Sequence, residues 1–217
     1  MTGTLVLGIG LNYAALLHQN VDSFLPYVAI GMVMWGFLSA GISEGADAFV
    51  NGSAMIKQSA LPLPLFILRC LVRNGINLAH QVVIIVAVLL WFRIAPGFGA
   101  LWALAGLAVL VVNLGWIGLF LAMICSRFRD MPQIVGAVLQ VVFFLSPIFW
   151  IPTPQLMNNP FVAENPFYFA IECVREPLLH GAVPAQALER MVAIAVVGWI
   201  LAILVYNQTR RRVVHYL

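Results

Sequence analysis

Charge is what this sequence has least of. Lys, Arg, Asp and Glu make up 9% of its 217 residues, apolar side chains 63%, and the mean hydropathy is +0.99. Soluble domains carry about 25% charged and about 45–50% apolar residues, so this composition argues against a water-facing surface over most of the chain. Carboxylates are scarcer still. Only eight Asp and Glu occur, nearly all outside the apolar stretches, which argues against an intramembrane proton relay. Cysteine is limited to Cys70, Cys125 and Cys173, an odd number with no CxxC spacing, so these read as packing residues rather than a disulfide framework. The histidines, His18, His80, His180 and His215, lie far apart with no HExxH, which argues against a metal site. There is no GxxxxGK[ST] to cradle ATP and no GxSxG nucleophile elbow. Gly8-Ile9-Gly10 lacks the rest of a dinucleotide fingerprint and reads as helix packing. No cleavable signal peptide is evident, since no positive charge precedes the first apolar run.

What is present is a series of apolar stretches. A membrane-crossing helix needs about 20 mostly apolar residues. The stretches at 4–17, 24–42, 65–92, 98–124, 131–151 and 191–206 predict about six spans in one membrane domain over 1–217, the first of them short. The net charge of +3 and pI of 9.0 come without a basic face interleaved with aromatics, so nucleic-acid binding is set aside. The basic residues instead mark loop ends. Lys57, Arg69 and Arg73, then Arg127 and Arg129, then Arg210, Arg211 and Arg212 share one side if the six segments alternate. Arg93, Arg175 and Arg190 fall on the other. The positive-inside rule puts the larger group, and both chain ends, in the cytoplasm.

Two loops stand out. Residues 43–64 are long enough for a short cytoplasmic helix, with Ser43 as its cap, Glu44 and Asp47 at its positive end, and Pro62 and Pro64 stopping it. The region 152–188 is too polar to span, yet Phe161, Phe167, Tyr168, Phe169, Leu178 and Leu179 are too apolar for a free loop. Short helices dipping part-way into the membrane fit it.

Three features could carry function. Arg69, Arg73, Asn77 and His80 fall within a narrow arc of a helix at about 100° per residue, one polar stripe. It suits a vestibule for an anionic headgroup, or equally snorkelling arginines with helix-to-helix hydrogen bonds. Phe143, Phe144, Phe149 and Trp150, with Trp35 and Phe37, suit a path along which sugar faces slide, or equally packing and an interfacial belt; for Trp150 and Trp91 the belt is the better account. Gly31, Gly36, Gly41 and Gly45 recur along the second segment, and a GxxxG at Gly41–Gly45 suits close helix approach, between subunits among other places.

The order of the loop motifs is informative as a set. Asn51-Gly52-Ser53-Ala54-Met55-Ile56-Lys57 leads to Leu61-Pro62; Ser126-Arg127-Phe128-Arg129-Asp130 follows the fourth segment; Leu145-Ser146-Pro147-Ile148-Phe149-Trp150 closes the fifth; Asn165-Pro166 is followed by Arg175 and Leu178-Leu179-His180-Gly181. In these motifs nearly the whole chain resembles the ABC-2 type permease family, in its polysaccharide and O-antigen export branch. One departure is that relatives begin with a basic amphipathic stretch, whereas no Lys or Arg precedes the first apolar segment here. The resemblance implies an all-α membrane fold of six helices. It implies a homodimer of permease subunits working with two separate ATP-binding-cassette subunits, in a bacterial inner membrane. It implies no cofactor on this chain, with ATP and Mg on the partner. By that likeness Glu44, Asp47 and Lys57 lie in a coupling helix that docks on the ATPase, with Arg127, Arg129 and Asp130 nearby. Asn165, Pro166 and Arg175 belong to outer gate helices, and the cargo is a lipid-linked polysaccharide whose head enters near Arg69 and Arg73 and whose sugars pass the aromatics. The alternative within the family is a drug or a small lipid-linked oligosaccharide. A lipid transferase would need clustered Asp, Glu or His at one membrane depth, and a secondary transporter commonly shows internal repeats with ionisable groups at mid-membrane; the sequence has neither.

Overall fold

The computed structural model describes residues 21–58, 61–152 and 159–216, all helical or in connections, with no strand among them. The helices are α1 Val21–Asn51, α2 Ser53–Gln58, α3 Pro64–Trp91, α4 Gly99–Arg127, α5 Met131–Leu145, α6 Pro160–Ala163, α7 Pro166–His180 and α8 Ala185–Tyr216. Four of them, α1, α3, α4 and α8, are long and apolar enough to cross a membrane. The span expected at 4–17 lies outside the described residues.

α1 is the most buried of the four, while α3 and α8 turn most of their surface outward. α4 packs against both α1 and α8, and α3, α5 and α7 gather on α1 as well. Glycine sets how near the first two helices come. A Cβ on Gly45 would stand 2.7 Å from Gly118 Cα, so here the α1 and α4 backbones nearly touch. The GxxxG at Gly41–Gly45 therefore serves contact inside the chain. Asn74 adds a buried tie, its Nδ2 donating to the Phe37 carbonyl at 2.8 Å. Phe37 itself is core, 3% exposed, and not part of an aromatic path.

Several boundaries differ from expectation. α1 does not stop at residue 42. It runs through Ser43, Glu44 and Asp47 to Asn51, so Ser43 caps nothing and the two carboxylates lie within the long helix. No proline or run of turn residues interrupts 43–51, so the helix propagates. The short α2 begins only after Gly52. The fifth segment ends at Leu145 rather than 151. Ser146 precedes Pro147, which disfavours helical backbone at the preceding residue, and Ser146 is extended at φ −91°, ψ 139°. At 1.5 Å per residue α5 is about 22 Å long, short of the roughly 30 Å hydrocarbon core. The last helix runs Ala185–Tyr216 rather than 191–206.

The bundle has two unlike ends. The basic end gathers α2, the start of α3 and the turn between α4 and α5. The loop end gathers the start of α1, the turn between α3 and α4, residues 146–152, α6, α7 and the start of α8. Trp91, Phe98 and Phe161 are each at least 80% exposed there, where an aromatic belt would meet headgroups.

Candidate functional site: a latched loop end, an aromatic groove and a basic end

α7 is placed by its own punctuation. Asn165 caps it, accepting from the Phe167 amide at 2.9 Å; Pro166 takes the first helical position; Gly181 closes it at φ 66°, its amide donating to Pro177 O. Its backbone at Cys173 and Pro177 lies directly on Gly106 and Gly99 of α4, where a Cβ would collide.

The cap residue has a second task. Asn165 Nδ2 donates to the buried Ser146 Oγ at 3.0 Å, joining the start of α7 to the break after α5. Nearly three turns further on, Arg175 is 1% exposed. Its Nε and one amino group donate to Glu172, and the other amino group donates to Pro147 O at 3.1 Å. The guanidinium lies 3.6 Å from the centre of the Tyr27 ring, a close cation–π contact. The Tyr27 hydroxyl donates to the same Pro147 carbonyl at 3.1 Å. Gly31 leaves room for this, since a Cβ there would press on Ile148 O and Arg175. So Ser146-Pro147, Asn165-Pro166 and Arg175, scattered in sequence, meet in one buried latch between α1, α5 and α7. Tyr27 and Glu172 were not singled out from the sequence. The signal that could have found Glu172 is its position three residues before Arg175, a helical ion-pair spacing.

The aromatics form a second place. Phe143 lies 5.6 Å from Trp35, 5.3 Å from Phe144 and 5.4 Å from Phe149, and Phe167 of α7 lies 5.6 Å from Trp35 on another side. Phe144 is 60% exposed. Between α1 and α5, Trp35, Phe143 and Phe144 wall an open groove of about 550 Å³ whose other lining includes Ser39, Ser43 and Gln140. Trp150 is half-buried beside the latch, its carbonyl 3.5 Å from the Tyr27 hydroxyl.

At the basic end the polar stripe does lie on one face of α3, with Arg69, Arg73, Asn77 and His80 all exposed. Arg73 pairs with Glu44 of α1 at 3.0 Å. His80 Nδ1 lies 2.8 Å from the Ile76 carbonyl. Arg69, Arg73, Glu44 and Asn51 surround a small polar cavity that shares no lining residue with the aromatic groove. The stripe and the rings therefore do not form one continuous wall within this chain. Lys57, Arg127, Arg129 and Asp130 are exposed. Among the described residues no group of three His, Cys, Asp or Glu side chains is placed to hold a metal.

These elements frame the comparison with known sequences. The family model described as ABC-2 type transporter matches residues 1–179. The chain belongs to the ABC-2 type transporter family. The latch, the groove and α1 to α6 all fall inside the matched part, which ends within α7. No curated protein matches the sequence. An ABC-2 protein is a multi-pass membrane permease, the transport subunit of an ABC transporter rather than an enzyme, and membership implies an ATPase partner.

Proposed function

We propose that this ABC-2 permease exports a lipid-linked polysaccharide, as a homodimer across a bacterial inner membrane, with the basic end and both termini in the cytoplasm. The observation that carries the reading is the groove walled by Trp35, Phe143 and Phe144. Flat rings offer apolar faces to the C–H faces of sugars, while Ser39, Ser43 and Gln140 offer hydroxyl and amide partners to their rims. An open groove on one face of a single chain becomes a closed path when a second copy faces it. Orientation is supported by the clustering of Lys57, Arg69, Arg73, Arg127 and Arg129 at one end. In this reading α2, with Lys57, and the exposed Arg127–Asp130 turn meet the ATPase, and α6 and α7 form the outer gate. Arg69 and Arg73, exposed at the membrane's cytoplasmic edge, receive the anionic head of the lipid carrier.

The test is export in cells. Phe143→Ala with Phe144→Ala should reduce surface polysaccharide without lowering the amount of permease in the membrane. Undiminished export by that double variant would refute the groove as the path.

A further inference from the structure

A second cleft, of about 500 Å³, opens at the loop end between α7, the first turns of α8, Tyr27 and Ile151, and shares no lining residue with the aromatic groove. Its two arginines are already engaged. Arg175 is held in the latch, and Arg190 of α8 pairs with Glu164 while lying 4.3 Å from the centre of the Phe169 ring. The carboxylates are in surplus, with Glu164, Glu172 and Glu176 facing two arginines across the cleft. Both Arg175 bonds to Glu172 go to the same oxygen, so the other carboxylate oxygen accepts neither. Glu176 makes no hydrogen bond or ion pair among the described residues. Burial, and then the neighbouring Glu172, raise the Glu176 carboxyl above its ordinary value, with His180 opposing. Tyr168, Leu179 and Ile151 supply the apolar part of the wall.

We propose that this cleft binds a neutral, hydroxyl-rich saccharide segment and rejects an anionic one. Hydroxyls donate to the free carboxylate oxygens of Glu172 and Glu176, and C–H faces lie on Tyr168 and Leu179. A uronic acid or phosphate group would meet a wall already one charge in excess. The volume lies inside the roughly 300–1,000 Å³ span of small-ligand sites. The inference rests on the saccharide reading above and adds the charge class of the sugar together with a site separate from the groove.

The test uses the full chain in lipid nanodiscs and equilibrium dialysis with two probes of equal length, maltotriose and trigalacturonate. Maltotriose should bind in the millimolar range and trigalacturonate about tenfold more weakly or worse, the equivalent of one charge-assisted hydrogen bond. Glu176→Met should weaken maltotriose about tenfold and narrow the difference between probes. Tyr168→Phe, which keeps the ring face and removes only a hydroxyl, should leave maltotriose binding nearly unchanged, whereas Tyr168→Ala should weaken it. Absent maltotriose binding, equal binding of the two probes, or indifference to Glu176→Met would each overturn the proposal. Export separates it from the reading it rests on. If groove variants stop export while maltotriose fails to bind, the cleft proposal alone falls. If groove variants leave export intact while maltotriose binding depends on Glu176, the groove path alone falls.

Discussion

At the loop end Arg175 is 1% exposed and fully engaged by Glu172, Pro147 O and the Tyr27 ring. At the basic end the Arg73 side chain is 59% exposed and pairs, among the described residues, with Glu44. Both are arginines paired with glutamates between or within helices, yet they do different work. A charge taken out of water is tolerable only with its hydrogen bonds satisfied, so Arg175 fixes one geometry for the segment after α5. A charge left in water is held loosely and stays available to another chain. The loop end is thus built to hold a shape, and the basic end keeps its charges open to the partner contact proposed above.

The largest effect should come from breaking the buried side of that contrast. Arg175→Met leaves the Glu172 carboxylate without its donor and the Pro147 carbonyl with the Tyr27 hydroxyl alone, and removal of one member of a buried pair costs about 3–5 kcal/mol. The expected result is a large fall in the thermal midpoint of the purified permease, with less protein in the membrane. Arg175→Lys should rescue only part of it, because an ammonium cannot reproduce the planar fork or its stacking on Tyr27. A melting curve unchanged in both variants would mean that the latch bears no load.

Next in size is the cap of α7. Asn165→Ala loses both the bond from the Phe167 amide and the bond to Ser146, together about 2 kcal/mol. Asn165→Asp keeps an acceptor for the amide and can accept from the Ser146 hydroxyl, so it should recover much of the loss. If Asp proves as damaging as Ala, the cap matters less than the amide donor.

A smaller effect is expected where α1 meets α4. Gly45→Ala drives a methyl group into the Gly118 backbone; overpacking costs about 1–3 kcal/mol, offset by about 1 from better helix propensity. Gly118→Ala meets the flexible Ile67 side chain first, at 3.3 Å, and should be milder. Equal midpoints for the two variants would show that the helices separate freely there.

How much of this was legible in the sequence follows the same division. Apolar runs located all four long helices, because burial in lipid leaves a one-dimensional signal, and bounded α3 and α4 closely, but α1 runs on to Asn51 and α8 covers Ala185–Tyr216, well past the apolar stretches at 24–42 and 191–206. The motifs Ser146-Pro147, Asn165-Pro166 and Arg175 were visible as points, and proline and asparagine fixed where helices break and begin. Their meeting in space was not visible, since the Asn165–Ser146 and Tyr27–Pro147 bonds join residues distant in the chain. The short helix expected to start at Ser43 failed for a local reason. A capping residue inside an uninterrupted helix-forming run does not begin a new helix. The polar stripe on α3 was found correctly as a face, but periodicity along one helix cannot say which neighbour that face meets, and Asn74, adjacent to Arg73, points inward to α1 instead.

The smallest stability effect, and the sharpest test of the contrast, lies at the basic end. In the Glu44–Arg73 pair the arginine is exposed and the glutamate partly so, and exposed pairs are worth about 0–1 kcal/mol. Glu44→Arg with Lys57→Glu should therefore leave the thermal midpoint nearly unchanged, although Glu44→Arg also sets like charges beside Arg73. If these residues meet the ATPase, the same pair of reversals should abolish co-purification with it or stimulation of its ATP hydrolysis. A loss of coupling with intact stability would separate the two ends as drawn, one for shape and one for contact. A large loss of stability with normal coupling would reverse the assignment, because the exposed pair would then be structural and the partner would dock elsewhere.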